Sequence, residues 1–112
     1  MGDSLETVCG FPWLARQRAG FQLGRVQQGL DPRDWKSMPI IGAGVREIRV
    51  HAANEYRVFY TAAFEESVYV LHAFVKKTRK TSRADLSLGK TRYQEVLRQE
   101  ASRKRGAPGE KR

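Results

Sequence analysis

Two arginines, Arg49 and Arg57, stand in consecutive stretches of alternating apolar and polar sequence, and the pair Lys76-Lys77 closes a third stretch. Arginine presents its donors in a planar fork that matches phosphate oxygens, and lysine offers a compact point charge to the same anions. These two lysines open KKTRKTSR (76–83), which holds five Lys/Arg in eight residues, so Arg79, Lys80 and Arg83 extend the cationic run. Residues of these types in this order suit a phosphate-bearing ligand. The alternative for the arginines is a surface charge network in which Arg49 pairs with Glu47 or Glu55, and for the loop a solvated charged turn.

The distribution of charge favours the first reading. The 112-residue chain carries a net charge of +9. Over residues 1–44, five Lys/Arg (Arg16, Arg18, Arg25, Arg33, Lys36) stand against four acids, whereas over 45–112 sixteen stand against eight. A one-sided positive field concentrates a polyanion near one surface. Cys9 is the only cysteine, which excludes an internal disulfide and a zinc knuckle built on cysteine pairs. With only His51 and His72 besides, neither a metal nor another cofactor is expected. No apolar run approaches the ~20 residues of a membrane span, and the first residues lack a basic region followed by an apolar one. A cytoplasmic chain without membrane association is therefore expected.

These side chains must be positioned by ordered elements. Residues 1–11 read as a loose lead-in. From Pro12 a helical pattern begins with Leu14, Phe21, Leu23 and Val26 as its apolar positions and Gly29 as its stop. Asp31-Pro32 has the form of an N-cap followed by proline at the first helical position, which predicts a second short helix over 31–38. Trp13 and Trp35 are assigned to the packing of these helices. Strands are predicted over 45–52, 56–64 and 68–75, joined by short turns into an antiparallel meander. Ser82 caps a final helix to about Ala101, with Leu86, Leu88, Tyr93, Val96 and Leu97 as its apolar positions. The fold class is α+β: N-terminal helices, a small antiparallel sheet and a C-terminal helix in one domain over 1–105, with a disordered basic tail at 106–112.

Strand geometry then constrains the chemistry. Alternation places Ile48 and Val50 on one face and Glu47, Arg49 and His51 on the other. Arg49 and Arg57 share a face in one pairing register and part in the next. Lys76 and Lys77, being adjacent, point to opposite sides, so one of them joins the arginines and the sequence does not say which. His72 shares a face with Val70, Phe74 and Lys76, as a packed histidine in the first reading and a proton carrier in the second. Tyr56, Phe59 and Tyr60 are chiefly core or sheet-surface aromatics, any of which could stack on an unpaired base.

The stretches GVREIRV (44–50), EYRVFY (55–60) and VLHAFVKKTRKT (70–81), with FQLGRVQQGLDPRDWKSMP (21–39) before them, resemble the phage-derived HigB-like toxins of the RelE/ParE superfamily over roughly residues 12–98. That resemblance implies a curved antiparallel sheet flanked by helices and the toxin role in a type II toxin–antitoxin pair. It implies an endoribonuclease, cutting messenger RNA on the ribosome without a metal. It also implies a cognate helix-turn-helix antitoxin and a toxin–antitoxin hetero-oligomer. Arg49, Arg57, Lys76 and Lys77 would be the catalytic residues, and Arg79, Lys80, Arg83, Arg92 and Tyr93 would hold RNA. Family toxins sometimes place a C-terminal tyrosine or histidine at the scissile phosphate, although here a long basic tail follows Tyr93. Two other functions stay open: a ParE-like inhibitor of DNA gyrase, and a nucleic-acid-binding phage accessory protein without catalysis.

Overall fold

One face of the sheet is apolar along its length and the other around Val45, Phe59 and Leu71, and each apolar surface needs a cover. In the computed structural model, which describes residues 4–64 and 67–106, helices supply both covers. The order is α1 (Ser4–Cys9), α2 (Trp13–Gln27), β1 (Trp35–Ser37), β2 (Val45–His51), β3 (Glu55–Phe64), β4 (Ser67–Lys76) and α3 (Arg83–Gly106). The four strands form one antiparallel meander, β1-β2-β3-β4, so the expected α+β architecture is present. Residues 107–112, most of the expected tail, lie outside the described residues. None of the described helices is long and apolar enough to cross a membrane.

One face carries Ile48, Val50, Tyr56, Val58, Tyr60, Val70 and Ala73, packed against Val8, Phe11, Ala15, Ala19, Leu23 and Val26 of the N-terminal helices. The lead-in is thus helical where a loose segment was expected, because Val8 and Phe11 bury against this face. Helix α2 docks through Ala15 and Ala19, not through Leu14 and Phe21 as predicted, and both larger residues remain exposed. The sheet explains the choice. Tyr56 and Tyr60 already fill this layer, and small residues four apart let the helix approach. Gly29, at φ +84°, ends α2 as expected: its N–H donates to the Val26 carbonyl and the Leu30 N–H to the Arg25 carbonyl.

The predicted helix over 31–38 is instead strand β1, paired Trp35↔Ile48, Lys36↔Glu47 and Ser37↔Arg46. Local capping signals lose here to the open edge of β2, whose backbone groups gain partners from an extended neighbour. Asp31 accepts from Arg46 Nη1 at 2.8 Å, and the Arg46 guanidinium lies 3.9 Å from the Trp35 ring centroid. Trp35 therefore belongs to the sheet edge, and Trp13 is 64% exposed, so neither packs the helices as expected.

The other face buries Val45, Phe59, Leu71 and Phe74 beneath Tyr93 and Val96 of α3, with Met38 and Ile41 beside them. A register shift moves the pairing from Phe59↔His72 to Tyr60↔Val70. Leu71 becomes the extra residue, and Val70 turns to the α2 side, away from the His72 face on which it was expected. Ser82 caps α3 as predicted, its Oγ accepting from the Asp85 N–H at 3.1 Å. The helix continues past Ala101 to Gly106, held to the β3–β4 hairpin by Glu100, which accepts from the Tyr69 hydroxyl, and by Arg103, which donates to Ser67 Oγ at 3.3 Å. Tyr93 lies over Gly42, where an added Cβ would run into its ring. Gly42→Ala should therefore cost about 1–3 kcal/mol in urea denaturation by overpacking this contact.

Candidate nucleic-acid interface

On the α3 side of the sheet, the register arranges nine side chains in three rows across β2, β3 and β4. They are Glu47–Phe59–His72, then Arg49–Arg57–Phe74, then His51–Glu55–Lys76. Helix α3 closes over the first row, where Phe59 is fully buried near Gly89. The third row is open: the His51 and Glu55 side chains are 54% and 45% exposed. Arg49 and Arg57 are direct cross-strand partners and share the face, which resolves the register left open by the sequence. Lys76 lies on that same face opposite Glu55, while Lys77 follows the strand and is exposed.

Two cations directly opposite each other repel unless an anion intervenes. Glu47 intervenes, with its Oε1 3.5 Å from Arg49 Nε and 3.8 Å from Arg57 Nε. The charge network offered as the alternative therefore exists too, and it uses both acids: Arg57 Nη1 donates to Glu55 Oε1 at 3.1 Å and to the Tyr56 carbonyl at 3.0 Å. The two arginines differ sharply in access. Arg57 is 8% exposed, and its Nε makes no hydrogen bond among the described residues beyond the longer ion pair to Glu47, whereas Arg49 is 36% exposed and engages only Nε of its guanidinium among them. Arg49 is thus a half-exposed cation braced by a buried Glu47–Arg57 pair. Desolvation makes that brace costly to break from one side, on the order of 3–5 kcal/mol for a buried pair.

His51 was not singled out by the sequence reading, nor were Glu47 and Glu55 as members of the site. Their only signal was parity, since each alternates with an arginine along its strand. His51 Nδ1 lies 2.7 Å from Glu55 Oε1 and Nε2 lies 2.7 Å from Asp34 Oδ2. Bonding to Glu55, and next to Asp34, raises the His51 pKa above its ordinary value. Glu55 is held below the usual carboxylate range, by His51 first and Arg57 second. An exposed imidazolium hydrogen-bonded to a carboxylate can pass a proton in either direction.

The remaining predicted residues are placed as follows. Arg79, Lys80 and Arg83 are exposed in and after the loop from β4 to α3, beside Lys77. Arg92 is drawn to the sheet, where Nη1 donates to the Leu71 carbonyl at 3.0 Å. Tyr93 is 8% exposed and its hydroxyl donates to the Ala43 carbonyl at 2.9 Å, so it braces α3 and offers RNA no surface. Tyr56, Phe59 and Tyr60 are buried and present no ring to a base. His72 stacks on Phe74 with centroids 5.0 Å apart and bonds Asp85 Oδ1 at 2.7 Å, which ties β4 to the first turn of α3 in the packed role. A cleft of about 710 Å³ lies between the end of α2 and the β3–β4 hairpin, and none of the predicted catalytic or RNA-binding residues lines it.

Two outcomes check these assignments. Tyr93→Phe should lower stability by about 1 kcal/mol, through one lost hydrogen bond, and leave RNA affinity unchanged in a filter-binding assay. His51 gains stability from a raised pKa, present in full below its ordinary value of 6.5 and lost as pH rises through the folded value. Glu55 contributes in the opposite sense, above its ordinary 4.5, and that contribution is lost as pH falls through its lowered folded value. The melting-temperature advantage of the wild type over His51→Gln should therefore be widest between pH 4.5 and 6.5 and shrink on either side.

Residues 7–94 match the model of the family described as phage derived protein Gp49-like (DUF891). No curated protein and no solved structure matches the chain. The match runs from α1 into α3 and includes all nine residues of the three rows. It covers most of the chain, which accordingly belongs to the phage-derived Gp49-like family, in the context of the RelE/ParE-like toxin superfamily.

Proposed function

We propose that this protein is the toxin of a type II toxin–antitoxin pair, HigB-like in kind, that cleaves messenger RNA on the ribosome without a metal. The observation that carries this reading is the open third of the sheet face, where Arg49, His51, Glu55 and Lys76 meet beside the cationic loop. Such a surface holds a polyanion along the loop and presents one phosphate to groups able to move protons.

Cleavage proceeds by attack of the 2′-hydroxyl on the adjacent phosphate. Arg49 and Lys76 neutralise charge developing on the phosphate oxygens. Glu55 accepts the proton of the 2′-hydroxyl, and the His51 imidazolium donates one to the departing 5′-oxygen. The products are a 2′,3′-cyclic phosphate and a 5′-hydroxyl. Because His51 and Glu55 are themselves hydrogen-bonded at 2.7 Å, one transfer between them restores the starting charges. Glu47 and Arg57 touch no substrate in this scheme and keep Arg49 aimed. Lys77, Arg79, Lys80 and Arg83 bind the strand's other phosphates. The partner that restrains this activity is a helix-turn-helix antitoxin, whose acidic segment would neutralise the same face, and the setting is the cytoplasm.

The test is expression of the chain in a translating extract, with messenger 5′ ends mapped by primer extension. Wild type should produce discrete cuts. Arg49→Ala and His51→Ala should each reduce them by roughly 10²-fold or more, the usual weight of a charge stabiliser or proton donor. Unimpaired translation without cuts, together with inhibition in a gyrase supercoiling assay, would move the protein to the ParE-like reading.

A further inference from the structure

Strand β1 pairs with β2 only as far as Trp35↔Ile48, so the last residues of β2 form an edge that faces α2 across an opening. The opening is a cleft of about 390 Å³ lined by Arg18, Phe21, Gln22, Arg49 and His51 among others. That size lies at the lower end of small-ligand sites, roughly 300–1,000 Å³. The proposed cleavage chemistry uses only Arg49 and His51 of its lining. We infer that this cleft receives one unpaired nucleobase of the single-stranded RNA whose phosphate rests on Arg49. The inference rests on the RNA reading above and adds to it a site of base recognition.

Three observations support a base as the occupant. The first is an aromatic platform. Phe21 is 54% exposed on α2, where the sequence pattern placed it in the core, and the Arg33 guanidinium lies over its ring at 5.7 Å from the centroid. A ring that already carries one planar π-system at the surface suits another, and base–aromatic stacking tolerates any base. The second is an array of polar groups that can read a base edge. Gln17 has no hydrogen-bond partner among the described residues, and Gln22 uses only Oε1, which accepts from the Arg33 N–H at 2.7 Å. Asp34 Oδ2 is held by His51, which leaves Oδ1 without a partner among the described residues.

The third is continuity with the open sheet face. Arg49 and His51 line both the cleft and that face, so a nucleotide with its phosphate on Arg49 has its base within reach of Phe21. Arg18 fixes the cleft wall by donating to the His51 carbonyl, and the Arg49 N–H donates to the Asp34 carbonyl at 2.9 Å. The cleft is thus built before ligand arrives, which lowers the ordering cost of binding.

The test is a fluorescence titration of the full chain with a short single-stranded RNA carrying 2-aminopurine. Wild type should bind and quench the probe by stacking. Phe21→Ala should weaken binding about tenfold, within the range of one lost stacking contact, and abolish the quench. Trp13→Ala, on the same helix but outside the cleft, should change neither. Binding and quenching by Phe21→Ala equal to wild type would overturn the cleft and leave the phosphate reading standing. Equal loss in Trp13→Ala would place the stacking elsewhere and overturn it as well. Failure of wild type to bind RNA at all would overturn both.

Discussion

A buried carboxylate between two arginines is the constraint from which the functional face follows. Glu47 is 3% exposed, and burying a lone carboxylate is so costly that its position makes sense only with cations at hand. Arg49 and Arg57, as direct cross-strand partners, would repel one another without it. The three residues therefore hold one another in place, and the register of β2 on β3 is fixed by charge as well as by the apolar rows beneath α2. A slip of β2 by one residue would carry Glu47 and Arg49 into the layer filled by Tyr56 and Tyr60, away from Arg57.

That arrangement assigns different work to residues of the same type. Arg57 spends Nη1 on Glu55 and on a backbone carbonyl, and it is almost wholly enclosed. The terminal nitrogens of Arg49 have no hydrogen-bond partner among the described residues. The same layering sorts the histidines: His72 is enclosed with Asp85 at the start of α3, and His51 lies in the open row with Glu55 and Asp34. Helix α3 draws the boundary between the two. Its first turns cover the first row, and its length beyond Tyr93 is spent holding the β3–β4 hairpin at the far end of the sheet.

Much of this was legible in the sequence, and the failures have physical causes. Alternation over residues 45–64 located the strands and put Glu47, Arg49 and His51 on one side, because period-two patterning is a direct readout of a pleated surface. The Ser82 cap and the Gly29 stop were also read correctly, since each reflects a local hydrogen bond. Strand β1 was not, because its extended form comes from the open edge of β2, a partner in the fold and not a neighbour in sequence. The faces of Val70 and Phe21 were misassigned for a similar reason. A bulge at Leu71 shifts one, and bulky tyrosines across the layer exclude the other. Tyr93 was expected to hold RNA, yet Gly42 and the Ala43 carbonyl give it a structural role that no sequence pattern announced.

In the proposed function, Arg49 is the cation this framework holds out to a nucleic-acid phosphate. The affinity of the full chain for a single-stranded RNA, measured from low to high salt for wild type and Arg49→Gln, tests it directly. Loss of one phosphate contact should weaken binding at low salt and reduce the slope of log affinity against log salt by roughly 0.7. A folded Arg49→Gln protein with the affinity and salt slope of wild type would contradict the account.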